Sequence, residues 1–299
     1  MSTLPARLLI LLLLALPCCV EARTVVVDTT ADDPALTACD DAVSNDCSLR
    51  GAIAAANAAA EHYDIQLPSG TYATSVVSFC PFVPIVPGIG GDVSFSATTL
   101  CITKDVAIIG SGADTTIIDG LQSDRVIALD KTATAAISGV TITRGVIPNV
   151  GTFIGGGGGV LNHGTLTLAD VAITWNTGGP GGGGGIFNAG ALTVVRSTIA
   201  HNDTVHEGGG IYNQQQAILT VSDSTITNGV CGTDGGGLFN NQGMVTITNS
   251  TVRDNTAGYE GGGITTFSGN PVNAGIISVC LASHQIATIS CEHNFFAIS

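Results

Sequence analysis

Four asparagines place the tightest constraint on what this chain can fold into. "GGGGGVLN" ends at Asn162, "GGGGGIFN" at Asn188, "GGGIYN" at Asn213 and "GGGLFN" at Asn240, so the motif returns after 26, 25 and 27 residues. A second frame keeps step with it. "LTLADVAI" (166–173), "LTVVRSTI" (192–199), "LTVSDSTI" (219–226) and "VTITNSTV" (245–252) start 26, 27 and 26 residues apart. Each unit holds short alternating runs of Val, Ile and Thr and none of the three-and-four spacing of a helix. A strand rising about 3.3 Å per residue reaches a Gly or Asn turn within a few residues, so three runs and three turns fill one period. Such a unit closes as a coil stacked on its predecessor at about 4.8 Å. The expected fold class is therefore all-β, a right-handed parallel β-helix, the hand following from the strong preference of parallel crossovers.

That architecture assigns a job to each motif position. Successive glycines let the backbone turn with positive φ and approach its neighbour without a Cβ. Val160, Ile186, Ile211, Leu238 and Ile264 (from "GGGITT", 261–266) form one inward aliphatic stack. Asn162, Asn188, Asn213 and Asn240 are expected to take the left-handed conformation at a corner and to hydrogen-bond amide to amide up the solenoid. Asn176, Asn202 and Asn255 form a second set, interrupted by Gly229. These asparagines read as scaffold.

Upstream, "VAIIGSGADTTIIDG" (106–120), "RVIALD" (125–130) and "AAISGVTITRG" (135–145) look like earlier, less regular coils. Residues 80–100 are a Pro/Gly-rich excursion, and 144–159 lengthen a connection before the tidy repeats begin. Long loops on a rigid solenoid are common places for binding sites. The stretch 47–61 is the one strong helical segment: Ser48 can cap it, and Leu49, Ala52, Ile53, Ala56 and Ala60 make an apolar stripe. It is expected to cover the open end of the first coil. The organisation is then a signal peptide (1–22), an N-terminal strand and helical cap (23–72), the parallel β-helix (73–267) and an irregular tail or last partial coil (268–299).

Residues 1–22 read as a secretory signal: Arg7 supplies the positive region, Leu8–Leu16 the apolar core, and Val20-Glu21-Ala22 a small-residue cleavage site. A membrane-spanning helix needs about 20 apolar residues, twice this run, so no transmembrane span is expected after signal removal. Export permits disulfides. Cys39 with Cys47 and Cys80 with Cys101 are candidate bridges, and Cys231, Cys280 and Cys291 leave an odd one. No spacing suggests a zinc site. The formal charge of −14 argues against nucleic acid as a partner, and the eight basic residues scattered after position 22 make no polybasic membrane patch.

"CSLRGAIAAAN" (47–57) resembles the CSLREAI motif of exported bacterial proteins, with Gly51 where that pattern has glutamate. "DIQLPSGTY" (64–72) resembles the segment that follows it, and the recurring GGG-[VIL]-x-N elements resemble polymorphic outer membrane proteins and pectin-lyase-like β-helix proteins. The likeness spans roughly 23–267. It implies secretion, extracellular or at an outer-membrane surface, and for some relatives adhesion through polysaccharide or host cell-surface protein.

Polysaccharide lyases share the expected fold, and their chemistry is proton abstraction beside a Ca²⁺-bound carboxylate, which asks for acidic residues stacked in a column. Glu207, Asp234 and Glu260 each precede a glycine triplet, 27 and 26 residues apart, and form a candidate acidic binding file suited to Ca²⁺. Asp170, Arg196, Asp223 and Asn249 form a second column that reads as a structural ladder. His163, His201 and His206 read as single surface histidines; Trp175, the sole tryptophan, falls in the His201 column and reads as a partly exposed packing residue, the alternative being a ring that stacks on a sugar. No nucleophile elbow and no clustered aspartates occur within the repeats. The expectation is a non-catalytic surface or adhesion module without a cofactor; the alternative is a pectate-lyase-like lyase, or a hydrolase, acting on acidic glycans.

Overall fold

The computed structural model describes residues 22–40, 42–80, 96–147, 156–267, 277–280, 289–292 and 295–298, the last three stretches as backbone path alone. The signal-peptide reading of 1–22 falls almost entirely outside these residues. Among the described residues no helix is long and apolar enough to cross a membrane.

The chain winds as the right-handed parallel β-helix its period calls for. A first sheet of nine strands runs from Arg23–Val26 and Tyr63–Leu67 through Thr165–Ala169, Ala191–Val195, Ile218–Ser222 and Met244–Thr248 to Ile277–Cys280. A second sheet stacks Gly70–Ala73, Thr116–Asp119, Thr141–Thr143, Ala172–Thr174, Thr198–Ala200, Thr225–Thr227 and Thr251–Arg253. A third carries Leu100–Ile102, Ile127–Leu129, Val160–Asn162, Ile186–Asn188, Ile211–Asn213, Leu238–Asn241 and Ile264–Phe267. The three-run period conceals a fourth, smaller sheet between the second and third: Thr177–Gly178, Asp203–Thr204, Val230–Cys231 and Thr256–Ala257.

Alternation decides what faces inward. Leu166, Leu192, Leu219 and Val245 from the first sheet, Ile142, Ile173, Ile199 and Ile226 from the second, and Val160, Ile186, Ile211, Leu238 and Ile264 from the third are all buried in one core. Each such side chain contributes about 1.5–3 kcal/mol by leaving water. Stacked on its own kind at one strand spacing, it needs no large ring to fill space.

The triplet at Gly208–Gly210 shows why three glycines recur. Gly208 sits at φ 71°, a left-handed turn. A Cβ on Gly209 would lie 2.5 Å from the Gly236 carbonyl oxygen, and one on Gly210 would lie 2.5 Å from that of Gly237. The first glycine turns the chain; the next two let adjacent coils touch backbone to backbone.

The asparagine expectation splits in two. The ladder forms: Asn162 Nδ2 donates to Asn188 Oδ1, Asn188 to Asn213 and Asn213 to Asn240, each at 2.8 Å, and Asn240 donates to Thr266 Oγ1 at 3.2 Å. The left-handed conformation is not theirs. They lie within third-sheet strands, the last residue of each except at Asn240, where the strand runs on to Asn241; they are paired in register, and the ladder itself holds them there. Positive φ falls instead on Asp170, Arg196, Asp223 and Asn249, and on Arg144, Trp175, His201, Asn228 and Asp254, the corners bounding the second sheet. The second asparagine set behaves similarly: Asn176 Nδ2 donates to Asn202 Oδ1 at 3.0 Å, and Asn255 Oδ1 accepts from the Gly229 amide where the column is interrupted.

The N-terminal helix spans Leu49–Ala58, shorter than the apolar run, with the Ser48 hydroxyl accepting from the Gly51 amide. Leu49, Ala52, Ile53 and Ala56 are buried, whereas Ala60 lies past the helix end and is exposed. Asn57, in the last helical turn, turns its side chain to a neighbouring strand. Its Nδ2 donates to Cys101 O at 2.7 Å and its Oδ1 accepts from Thr103 N at 2.8 Å, closing the free edge of Leu100–Ile102. Gly51 lies beneath the Leu36 carbonyl, whose oxygen would stand 1.9 Å from a Cβ, so this chain's path at 33–37 excludes any side chain there.

Arg50 anchors the cap. Its guanidinium forms a buried two-point pair with Asp32 (Nε–Oδ1 2.5 Å, Nη2–Oδ2 3.1 Å) and donates to Thr98 O, Thr99 O and Ser78 Oγ. Asp32 Oδ2 also accepts from the amides of Ser75 and Val76. Both candidate disulfides form, Cys39–Cys47 and Cys80–Cys101, the second across the Pro/Gly-rich excursion; Cys231 is a buried free thiol. At the far end, Phe295–Ile298 pairs antiparallel with Ile264–Phe267 and with Ile289–Glu292, reversing the strand sense at that edge of the third sheet.

Candidate functional site

The buried asparagines are committed to ladders, and the candidate site residues lie on the outer columns. Glu207, Asp234 and Glu260 do stack on consecutive turns: Gly208 N donates to Asp234 O, and Gly235 N to Glu260 O. Glu207 and Asp234 are half-buried and Glu260 is exposed. The Asp234 carboxylate is already engaged, accepting from the Glu260 amide at 2.9 Å. Among the described residues no three or more His, Cys, Asp or Glu side chains are placed to hold a metal ion. As they stand, the three acids do not form a Ca²⁺ cradle.

What accompanies them was not legible in the repeat. Val205, Val230 and Tyr259 are exposed on the same three turns, Tyr259 at 80%. Glu207 also lies near the Tyr212 ring, whose phenol is raised chiefly by burial and further by the Glu207 charge, against the Asn241 amide that donates to it. Tyr212 belongs to an outward column of the third sheet, Cys101, Ala128, Leu161, Phe187, Tyr212 and Phe239 in register. Phe187 and Tyr212 stack at 5.0 Å, and Tyr212 and Phe239 meet at 5.3 Å. This column is not a surface. The glycine-rich turns fold back over it, and a Cβ on Gly156 would come 2.5 Å from the Phe187 ring.

The column at Asp170 is the structural ladder expected of it. Arg196 donates to both oxygens of Asp170, Nε–Oδ1 at 2.9 Å and Nη2–Oδ2 at 2.6 Å, and Asn249 bonds Asp223. The pairing lowers the Asp170 carboxyl and raises the Arg196 guanidinium, so Arg196 is unsuited to abstracting a proton.

The histidines divide. His201 is exposed, as read from the sequence, and stacks on Trp175 with centroids 4.4 Å apart and planes 4° from parallel. His163 departs from the surface reading. Its Nε2 is buried without a hydrogen-bond partner, and burial, aided by the Arg125 charge, pulls its pKa down to about 4. Neutral at pH 7, it is no proton donor. Arg125 donates to the carbonyls of Gly156 and Gly157 and is itself lowered to about 10 by burial.

No protein-family model, curated protein or solved structure matches the chain.

Proposed function

We propose that this is a secreted or surface-displayed β-helix acting as a non-catalytic recognition module, adhering to glycan or to cell-surface protein through its outer turns. One observation carries this reading: three successive turns expose Val205, Val230 and Tyr259 beside Glu207, Asp234 and Glu260. Exposed apolar side chains on a rigid face, rimmed by charge, are the ordinary make-up of an interaction surface. The backbone beneath them is held by coil-to-coil hydrogen bonds, so little ordering entropy is lost on binding.

The test is saturable binding of the purified protein to arrayed glycans and cell-surface proteins, with and without Ca²⁺. Replacing Glu207, Asp234 and Glu260 together by Ala is expected to weaken that binding at least tenfold, and added salt to weaken it further. A polysaccharide lyase would instead release unsaturated, ultraviolet-absorbing ends from polygalacturonate in a Ca²⁺-dependent way. That result would replace the recognition reading.

A further inference from the structure

The corner column Arg144, Trp175, His201, Asn228 and Asp254 has φ between 52° and 58° throughout. Asn and Asp tolerate this left-handed conformation; for a bulky ring it is an outlier that the surroundings must impose. The two arginines at such corners each close a polar pair to the preceding coil. Arg144 bonds Asp119, and Arg196 bonds Asp170. Trp175 makes no such bond. It is 62% exposed, contributes nothing to the core, and is steadied on one face by His201. Among the described residues no other ring and no cation lies over its opposite face, because Arg144 is turned toward Asp119, away from it.

We infer that Trp175, backed by His201, is a stacking platform for the C–H face of an uncharged sugar ring. The inference rests on the recognition reading above but names a different face and a ligand class. An indole held flat and wet on one side offers the electron-rich face that polarised sugar C–H bonds prefer. On the adjoining short sheet, two residues on from the ring, Thr177 Oγ1 donates to Asp203 Oδ1 at 2.8 Å, a polar pair on the same turn and its successor. The local charge argues against uronates. Asp203 is exposed on the next coil, Arg144 on the preceding one is already paired with Asp119, and the whole chain carries −14. A carboxylated sugar would meet repulsion; a neutral one would not.

The chain has one tryptophan, so its fluorescence reports on this site alone. The purified protein is titrated with neutral hexasaccharides of glucose, mannose and xylose, and with hexagalacturonate as the charged control. A neutral sugar is expected to shift the emission to shorter wavelength and to reduce acrylamide quenching severalfold, saturably, while the uronate does neither. Trp175→Asn, which installs the residue the column already uses at Asn228, is expected to keep or raise Tm while weakening neutral-sugar binding at least tenfold by calorimetry. The inference is overturned if no neutral sugar changes the emission, if Trp175→Asn binds as well as the parent, or if it lowers Tm sharply, which would make the ring structural. Binding to a protein or glycan that leaves Trp175 fluorescence unchanged would remove this site and leave the recognition reading standing.

Discussion

Replacing Asp32 by alanine is expected to lower the unfolding free energy by about 3–5 kcal/mol, the range for removing one partner of a buried ion pair. Asp32 and Arg50 are each 5% exposed. Without the carboxylate the guanidinium stays buried and loses two of its five hydrogen bonds. Buried ion pairs can often be exchanged for apolar residues of similar size with little loss. Here that rescue is expected to fail. The pair also satisfies the buried carbonyls of Thr98 and Thr99, which an apolar pair would orphan at about 1–3 kcal/mol apiece, and it ties down the more accessible amides of Ser75 and Val76. Urea unfolding of Asp32→Ala, Arg50→Met and the Asp32→Leu/Arg50→Met double variant checks this. A double variant as stable as the parent would show that the pair does not hold the cap.

The second large effect is expected at Asn213. The ladder has a direction, each Nδ2 donating to the Oδ1 of the next coil. Asn213→Asp keeps the shape and the acceptor for Asn188 but sets a carboxylate oxygen against Asn240 Oδ1, in a position with no solvent exposure. An unpaired buried charge facing an acceptor is expected to destabilise by about 3–5 kcal/mol at pH 7. Burial and the facing oxygen raise the new carboxyl's folded pKa above its unfolded value of about 3.9. The penalty is therefore greatest above the folded pKa and shrinks as pH falls through it, since the protonated acid can donate as the amide did. Unfolding curves for parent and variant between pH 7 and pH 4 measure this. A difference that stays constant over that range would mean the ladder amide is not the group being replaced.

Both effects bear on how much could be read from the sequence alone. The period exposed most of what repeats, namely the inward aliphatic stack, the amide ladder, the close glycine contacts and the Asp170–Arg196 column, but not the two-residue strands of the fourth sheet, too short to leave an alternating pattern. Features depending on a single encounter were not visible. Arg50 meets Asp32 and the 98–99 backbone only because the chain folds the 31–47 loop over the cap, and no pattern marks that pairing. Corner conformations were misassigned because Asn suits a left-handed turn and a ladder equally well, and register decides between them. His163 was misread as exposed because the glycine-rich turns that cover the third sheet have no side chains to advertise their packing. Function was the least legible. Outer columns are free to vary without harm to the fold, so Tyr259 stands out only once its exposure is known, and Trp175, visible as the sole tryptophan, gains its meaning only from its exposure and its stacking on His201.

The central claim is that residues about one period apart are vertical neighbours. Positions 107, 136, 167, 193, 220 and 246 fall in one register column of the first sheet. Bio-orthogonal spin labels at 246 paired with 167, 136 or 107 test it by pulsed dipolar spectroscopy. The distances are expected to lengthen by about 4.8 Å per coil, the strand spacing, across three, four and five coils. Distances that fail to climb in these even steps would contradict the stacked-coil account.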